Sequence, residues 1–219
     1  MKSIFKTIIV ILTVLCGTAL RAQEFRLNGY SGYTFNDHVS AYNNSNDYYE
    51  GTIKGGYRWG IGAEYLLNEA YGVELAYNRQ DTKAPVKYSN IIEKQSTFDV
   101  DVNWITLAAT RYIKNNEKIE SYGGLLGGVA IFDVNDPKNQ RSGSATKFAW
   151  GLRLGANLFF SERVGLKLQT DLMSAVQSFG GSLYFGSGGS GAAISGYSTM
   201  LQFHLGGGLV FRLKPAAKK

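Results

Sequence analysis

Few side chains in this sequence have types and spacings that do chemistry. There are two histidines, His38 and His204. A hydrolase sets an imidazole beside a serine or carboxylate and holds it there with a third group. His38 follows Asp37, but sequence neighbours rarely form such a pair, so no catalytic residue is expected. Cys16 is the one cysteine, which removes disulfides and metal-binding cysteine pairs. A lipid-modified cysteine wants a small residue before it, and Leu15 stands there instead. Gly186-Ser187-Gly188-Gly189-Ser190-Gly191 has the spacing of a dinucleotide loop. The strand-then-helix context that gives such a loop its purpose is missing, and a flexible loop is the expected reading. Asp99, Asp101 and Asn103 offer oxygens at calcium-loop spacing without the glycine and distal glutamate that complete one. A strand already places three such residues on one face. Neither metal nor cofactor is therefore expected.

The chain that must position these residues has 219 of them, enough for one domain. Lys2 and Lys6, an apolar run over residues 8–16, and Leu20-Arg21-Ala22 make residues 1–22 an expected export signal. The apolar run is too short for a spanning helix. The net charge of +6 falls to +3 once Lys2, Lys6 and Arg21 are set aside. Lys214, Lys218 and Lys219 belong to a basic tail over 214–219, so residues 23–213 are close to neutral. Such a body lacks the basic face of a nucleic-acid binder, and no nucleic-acid partner is expected. Glycine is abundant at 27 residues and proline scarce at 3, which suits long strands better than helices.

From Phe25 onward the sequence alternates with period two, predicting eight strands near residues 25–36, 53–66, 71–79, 98–112, 120–132, 147–160, 164–176 and 197–213. In the second, Ile53, Tyr57, Trp59, Ile61, Ala63 and Tyr65 oppose Lys54, Arg58 and Glu64 with intervening glycines. The fourth sets Val100, Val102 and Trp104 against Asp99, Asp101 and Asn103. The fifth, with Gly123-Gly124-Leu125-Leu126-Gly127-Gly128, fits either facing. Long polar links at 37–52, 80–97, 134–146 and 177–196 alternate with short turns at Asn68-Glu69, Asn115-Asn116 and Ser161-Glu162, the rhythm of an up-and-down barrel.

Alternation does not say which face is outside, since a soluble periplasmic lipocalin-like barrel has the reverse pattern. The polar face is the one rich in glycine and alanine, so it belongs in the crowded interior, with the bulky face outside. Trp59, Trp150, Leu152, Leu154, Leu168, Phe203 and Leu205 are accordingly expected to face lipid. Arg153, Asp171 and His204 are expected to meet in the lumen. Glu64, Glu74, Arg111, Lys167 and Arg212 are expected lumenal nearer the short turns, where opposed charges offset one another's desolvation.

The export signal, the strand-and-loop rhythm and the last strand, His204-Leu205-Gly206-Gly207-Gly208-Leu209-Val210-Phe211, together resemble the outer-membrane β-barrel family of OmpA and OmpX type. The resemblance implies an all-β, eight-stranded antiparallel up-and-down transmembrane barrel with short periplasmic turns and long extracellular loops, in the outer membrane of a Gram-negative bacterium. It implies outer-membrane lipid and the barrel-assembly machinery as partners. It also implies a structural or surface-interaction role through an unidentified extracellular ligand, the loop Asn43-Asn44-Ser45-Asn46-Asp47-Tyr48-Tyr49 being one candidate surface. A narrow porin-like channel and an envelope enzyme are the alternatives. The chain departs from the family in continuing past Phe211 through Lys214-Pro215-Ala216-Ala217-Lys218-Lys219 instead of ending on an aromatic.

Overall fold

The computed structural model describes residues 24–44, 47–89, 94–136, 141–176 and 200–213. The expected export signal, the basic tail, the glycine motif at 186–191 and the link at 177–196 lie outside the described residues. Ten strands are formed: Phe25–Thr34 (β1), Asp37–Asn44 (β2), Asp47–Ile53 (β3), Gly56–Leu66 (β4), Tyr71–Ser89 (β5), Lys94–Lys114 (β6), Ile119–Asp136 (β7), Arg141–Phe159 (β8), Val164–Val176 (β9) and Met200–Leu213 (β10). All pairings are antiparallel, and no helix occurs among the described residues. β1 pairs with both β4 and β10, and β5 with β6, which closes β1, β4, β5, β6, β7, β8, β9 and β10 into an eight-stranded ring. β2 and β3 carry the β1/β4 hairpin upward and lean on the top of β5 through Gly51↔Val86 to Tyr48↔Ser89.

The stagger of that ring fixes its width. Successive paired residues around the wall are Thr34, His204, Asp171, Arg153, Gly124, Thr110, Gly72 and Leu66. The Leu66 amide then donates to the carbonyl of Glu24, ten residues below Thr34. At about 3.3 Å per residue and about 4.8 Å between strands, that stagger tilts the strands about 40° and sets a backbone radius of about 8 Å. Such a lumen has room for side chains and little else.

The three short turns share one construction. Asn68 Oδ1 accepts from the amides of Ala70 and Tyr71 at 2.8 and 2.9 Å, and Asn116 Oδ1 from Lys118 and Ile119 at 2.9 and 2.8 Å. Ser161 Oγ accepts from Arg163 and Val164 at 3.3 and 2.9 Å. Each begins Asn-Glu or Ser-Glu and returns to a strand two residues later. The side-chain oxygen mimics a backbone acceptor and fixes the reversal.

The opposite ends differ from the expected long links. Most of residues 37–52, 80–97 and 134–146 is strand: β5 pairs with β6 up to Tyr88↔Lys94, and β7 with β8 up to Asp136↔Arg141. Polar composition signalled loop, but a ladder continues wherever both neighbours keep their register, and at residues 97–100 and 132–135 the alternation persists with its polar side turned outward.

On the outer face two aromatic rows bracket an aliphatic band. Tyr33, Phe35, Tyr57, Trp59, Tyr77, Phe148, Trp150 and Phe203 form the upper row, and Phe25, Tyr65, Tyr71, Phe160 and Phe211 the lower. Leu75, Leu107, Leu125, Leu152, Leu154, Leu168 and Leu205 lie exposed between them. Phe25 and Phe35 are ten residues apart on one strand path, which at the tilt above is about 25 Å along the axis, the height of an outer-membrane apolar band. Above the upper row the outer wall is ionic. Arg79 pairs with Asp81 at 2.8 Å and with Asp101 at 2.9 Å, and Lys83 with Asp99 at 3.8 Å.

Candidate functional site: a lumen in two parts

Inside the aliphatic band the lumen is filled with ionised and hydrogen-bonded groups. At the short-turn end, Arg26 donates to Glu120 at 2.8 Å and to Glu24 at 2.6 Å, and Arg212 to Glu120 at 2.6 Å. One level higher, Arg153 bridges Glu74 at 2.5 Å and Asp171 at 3.1 Å. Asp171 also accepts from Arg58 and from Gln169 Nε2 at 2.9 Å, and His204 Nδ1 stands 3.5 Å away. Tyr30 and Asn28 donate to Glu74, and Tyr112 donates to Glu64 at 2.5 Å. The Lys167 ammonium lies 4.7 Å from the centre of the Tyr122 ring. Gly62 makes the fit feasible, because a Cβ there would collide with the Glu74 carboxylate.

The charges balance. Glu24, Glu64, Glu74, Glu120 and Asp171 face Arg26, Arg58, Arg153, Lys167 and Arg212 across the same space. Burying ions in so narrow a space is tolerable only when each is met by opposite charge and hydrogen bonds.

Above this network the interior changes character. Phe98, Val100, Val102, Trp104, Phe132, Val134, Met173 and Met200 are buried in one apolar cluster with Ala84, Ala130, Ala145 and Ala149. Trp104 and Phe132 meet edge-on with ring centres 6.4 Å apart. The expected facing of the fourth strand is therefore corrected here: Val100, Val102 and Trp104 point into the barrel, and Asp99, Asp101 and Asn103 outward, where Asn103 accepts from the Tyr77 hydroxyl at 2.8 Å. The strand is continuous, so its parity is set lower down by Leu107 and Ile105 on the outer face. Once the wall rises past the upper aromatic row, the outer side needs polar residues and the inner side apolar ones, as in a water-soluble barrel. The three tryptophans divide accordingly, Trp59 and Trp150 being 41% and 45% exposed and Trp104 1%.

No protein-family model matches the chain, and no curated protein matches it. Solved structures do. OprG from Pseudomonas aeruginosa superposes with a TM-score of 0.60 at 15% identity, over 89% of this chain and 98% of that one. Neisserial surface protein A gives 0.57 at 12%, over 86% and 97%. AlkL, solved in lipid bilayers, gives 0.50 at 11%, over 91% and 93%. The fold is that of small outer-membrane barrels. At these identities the likeness is one of architecture, and the interior described above is this chain's own.

The residues singled out from sequence fall as follows. Arg153, Asp171 and His204 lie together in the lumen, with Glu64, Glu74 and Lys167 buried among them and Arg212 half-buried at the short-turn end. Arg111 is not lumenal: it is exposed on the outer face beside Tyr71, its guanidinium 6.0 Å from that ring's centre. It shares the parity of Leu107 and Ile113, and as a long side chain at the edge of the aliphatic band it can lift its charge to water. Trp59, Trp150, Leu152, Leu154, Leu168, Phe203 and Leu205 are exposed on the outer face. The side chain of His38 and the tip of the Asn43-to-Tyr49 loop lie outside the described residues. Sequence reasoning missed Arg26, Tyr30, Tyr112 and Glu120. Glu120 opens the strand whose glycines fit either facing, and its parity becomes readable only by counting from the Asn116 turn. Among the described residues no group of three or more His, Cys, Asp or Glu side chains is placed to hold a metal ion.

Proposed function

We propose that the protein is an integral outer-membrane barrel, exported by residues 1–22, whose lumen is shut at membrane depth and whose work is done at its extracellular end. The observation that carries this reading is the balanced network around Arg153, Glu74 and Asp171, which spans a lumen only about 8 Å in backbone radius. The two aromatic rows about 25 Å apart support the membrane placement, since amphipathic rings favour the headgroup level and closure leaves no unpaired backbone in lipid. The ion-paired outer wall above the upper row supports a rim standing in water, available for surface interaction or envelope integrity. Lipid is then the wall's partner, and the glycine-centred last strand suits delivery by the barrel-assembly machinery. His204 acts as a member of the network.

The test is planar-bilayer recording of the refolded chain. A shut lumen gives no conductance steps at neutral pH, and Arg153→Ala, which opens a gap in the network, gives steps that the parent lacks. Steady steps from the parent chain would overturn the reading in favour of a narrow pore.

A further inference from the structure

The lipid-facing wall carries a single charge. From the upper aromatic row down to the lower, the outward positions of the eight ring strands are aliphatic, aromatic, glycine, serine or threonine, and among the described residues Arg111 is the one ionised exception. It belongs to the outward series Ile105, Leu107, Ala109, Arg111 and Ile113 of β6, so an exposed isoleucine still stands between it and the turn at Asn115. A charge on a lipid-facing surface is costly, and it marks a place where a partner is expected.

The protein supplies no such partner. Among the described residues no carboxylate lies within ion-pair distance of Arg111, and Glu69, two residues before Tyr71, is taken by Lys114 at 3.0 Å. The guanidinium stands instead beside the ring of Tyr71, its partner across the β5–β6 ladder, which is 46% exposed and whose hydroxyl meets no side chain among the described residues. On the other flank the ladder partner is Gly123, so no side chain covers the guanidinium there. Ser121 lies two residues nearer the turn on the same face of β7. Its oxygen accepts from Asn115 Nδ2 at 2.8 Å, which leaves its own O–H to donate. A guanidinium fork and two hydroxyls thus face the bilayer at the lower aromatic row, where amphipathic rings mark the headgroup level. All three are donors, and the acceptor that the medium offers at this level is a phosphodiester, whose paired oxygens match the fork.

We propose that Arg111, Tyr71 and Ser121 seat the phosphate of an anionic glycerophospholipid of the periplasmic leaflet, its acyl chains lying along the outer wall at Leu107 and Leu125. A net-negative lipid is preferred to a zwitterionic one, because a headgroup ammonium already meets its own phosphate and brings a second cation toward Arg111. The site is on the outside of the barrel, so it stands or falls independently of whether the lumen conducts.

Native mass spectrometry of the refolded full-length protein, released from nonionic detergent containing either dioleoylphosphatidylglycerol or dioleoylphosphatidylcholine, counts the lipids held by each barrel. The first phosphatidylglycerol is expected to bind about fivefold more tightly than the first phosphatidylcholine, the ratio that one cation near a lipid surface supplies. Arg111→Gln is expected to bring the two lipids to equal affinity. Lys118→Gln, which removes the same charge from the exposed turn below, is expected to leave the preference intact. Equal affinities in the parent chain, a preference that survives Arg111→Gln, or one lost as fully in Lys118→Gln would each overturn the proposal. Should Arg111→Gln not fold, judged by gel mobility without heating, Tyr71→Phe decides: loss of one hydroxyl from an exposed ring is expected to narrow the ratio, and an unchanged ratio would sink the site.

Discussion

Thr110 and Val100 point the same way from one unbroken strand, ten residues apart, into two different solvents. Around Thr110 the wall's outer side is aliphatic and its interior ionised; around Val100 the outer side is ionised and the interior aliphatic. Neither bulge nor register slip separates them in the pairing of β6 with β5 and β7. What inverts is the composition of the alternating pair, which follows the medium outside. A strand in lipid turns its hydrophobic set outward, and the same strand in water turns it inward, so the level of the change marks the membrane surface. One β-barrel thus contains a membrane interior and a soluble core, stacked.

The largest expected effect comes from breaking the lower part. Arg153→Met leaves Glu74 and Asp171 without their shared cation, and is expected to cost about 3–5 kcal/mol in urea unfolding from lipid vesicles. In the upper part Phe132→Leu is expected to cost less than about 1.5 kcal/mol in the same assay, because an apolar core tolerates a swap of similar volume. Similar costs for the two would mean that the halves are not different solvents. The outer wall gives the next contrast. Leu154→Arg, in the middle of the aliphatic band, is expected to lose about 2–4 kcal/mol, whereas Asp133→Arg above the upper row is expected to change stability by no more than about 1 kcal/mol.

A subtler pair of substitutions exchanges the solvents. Val102→Thr puts a hydroxyl into the upper apolar core and is expected to cost about 1–3 kcal/mol by equilibrium unfolding. Thr106→Val lies four residues away on the same face, where the native hydroxyl is buried without a partner. It is expected to be neutral or stabilising. The smallest effect is reserved for Arg79→Ala. Its pairs with Asp81 and Asp101 are largely solvent-exposed, and their loss is expected to shift stability by less than about 1 kcal/mol, shrinking further as salt rises.

Much of this was legible in the amino-acid sequence. Alternation places Arg153, Asp171 and Lys167 on one face and Leu152, Leu154 and Leu168 on the other, and the asparagine and serine turns divide the chain into hairpins. Alternation is blind to side, however. Val100-Asp101-Val102-Asn103 reads the same whether valine meets lipid or a lumen, and assuming one outside for the whole barrel put Trp104 on the wrong face. Counting parity down β6 from Leu107 would have corrected both Trp104 and Arg111. The pairing of Arg58 with Asp171 was beyond reach, because β4 and β9 face each other only once the ring is closed.

The ring's seam is the pairing of the first described strand with the last, Phe25↔Leu213 through Thr34↔His204. Its partners are the most widely separated in the chain, and the strands approach so closely that a side chain at Gly208 would run into the carbonyl of Gly29. A search that long is entropically slow, and until it succeeds two strands keep bare edges that hydrocarbon does not tolerate. Assembly from separate hairpins inside the bilayer is therefore disfavoured, and the kinetics should show one late concerted event in which closure and insertion coincide.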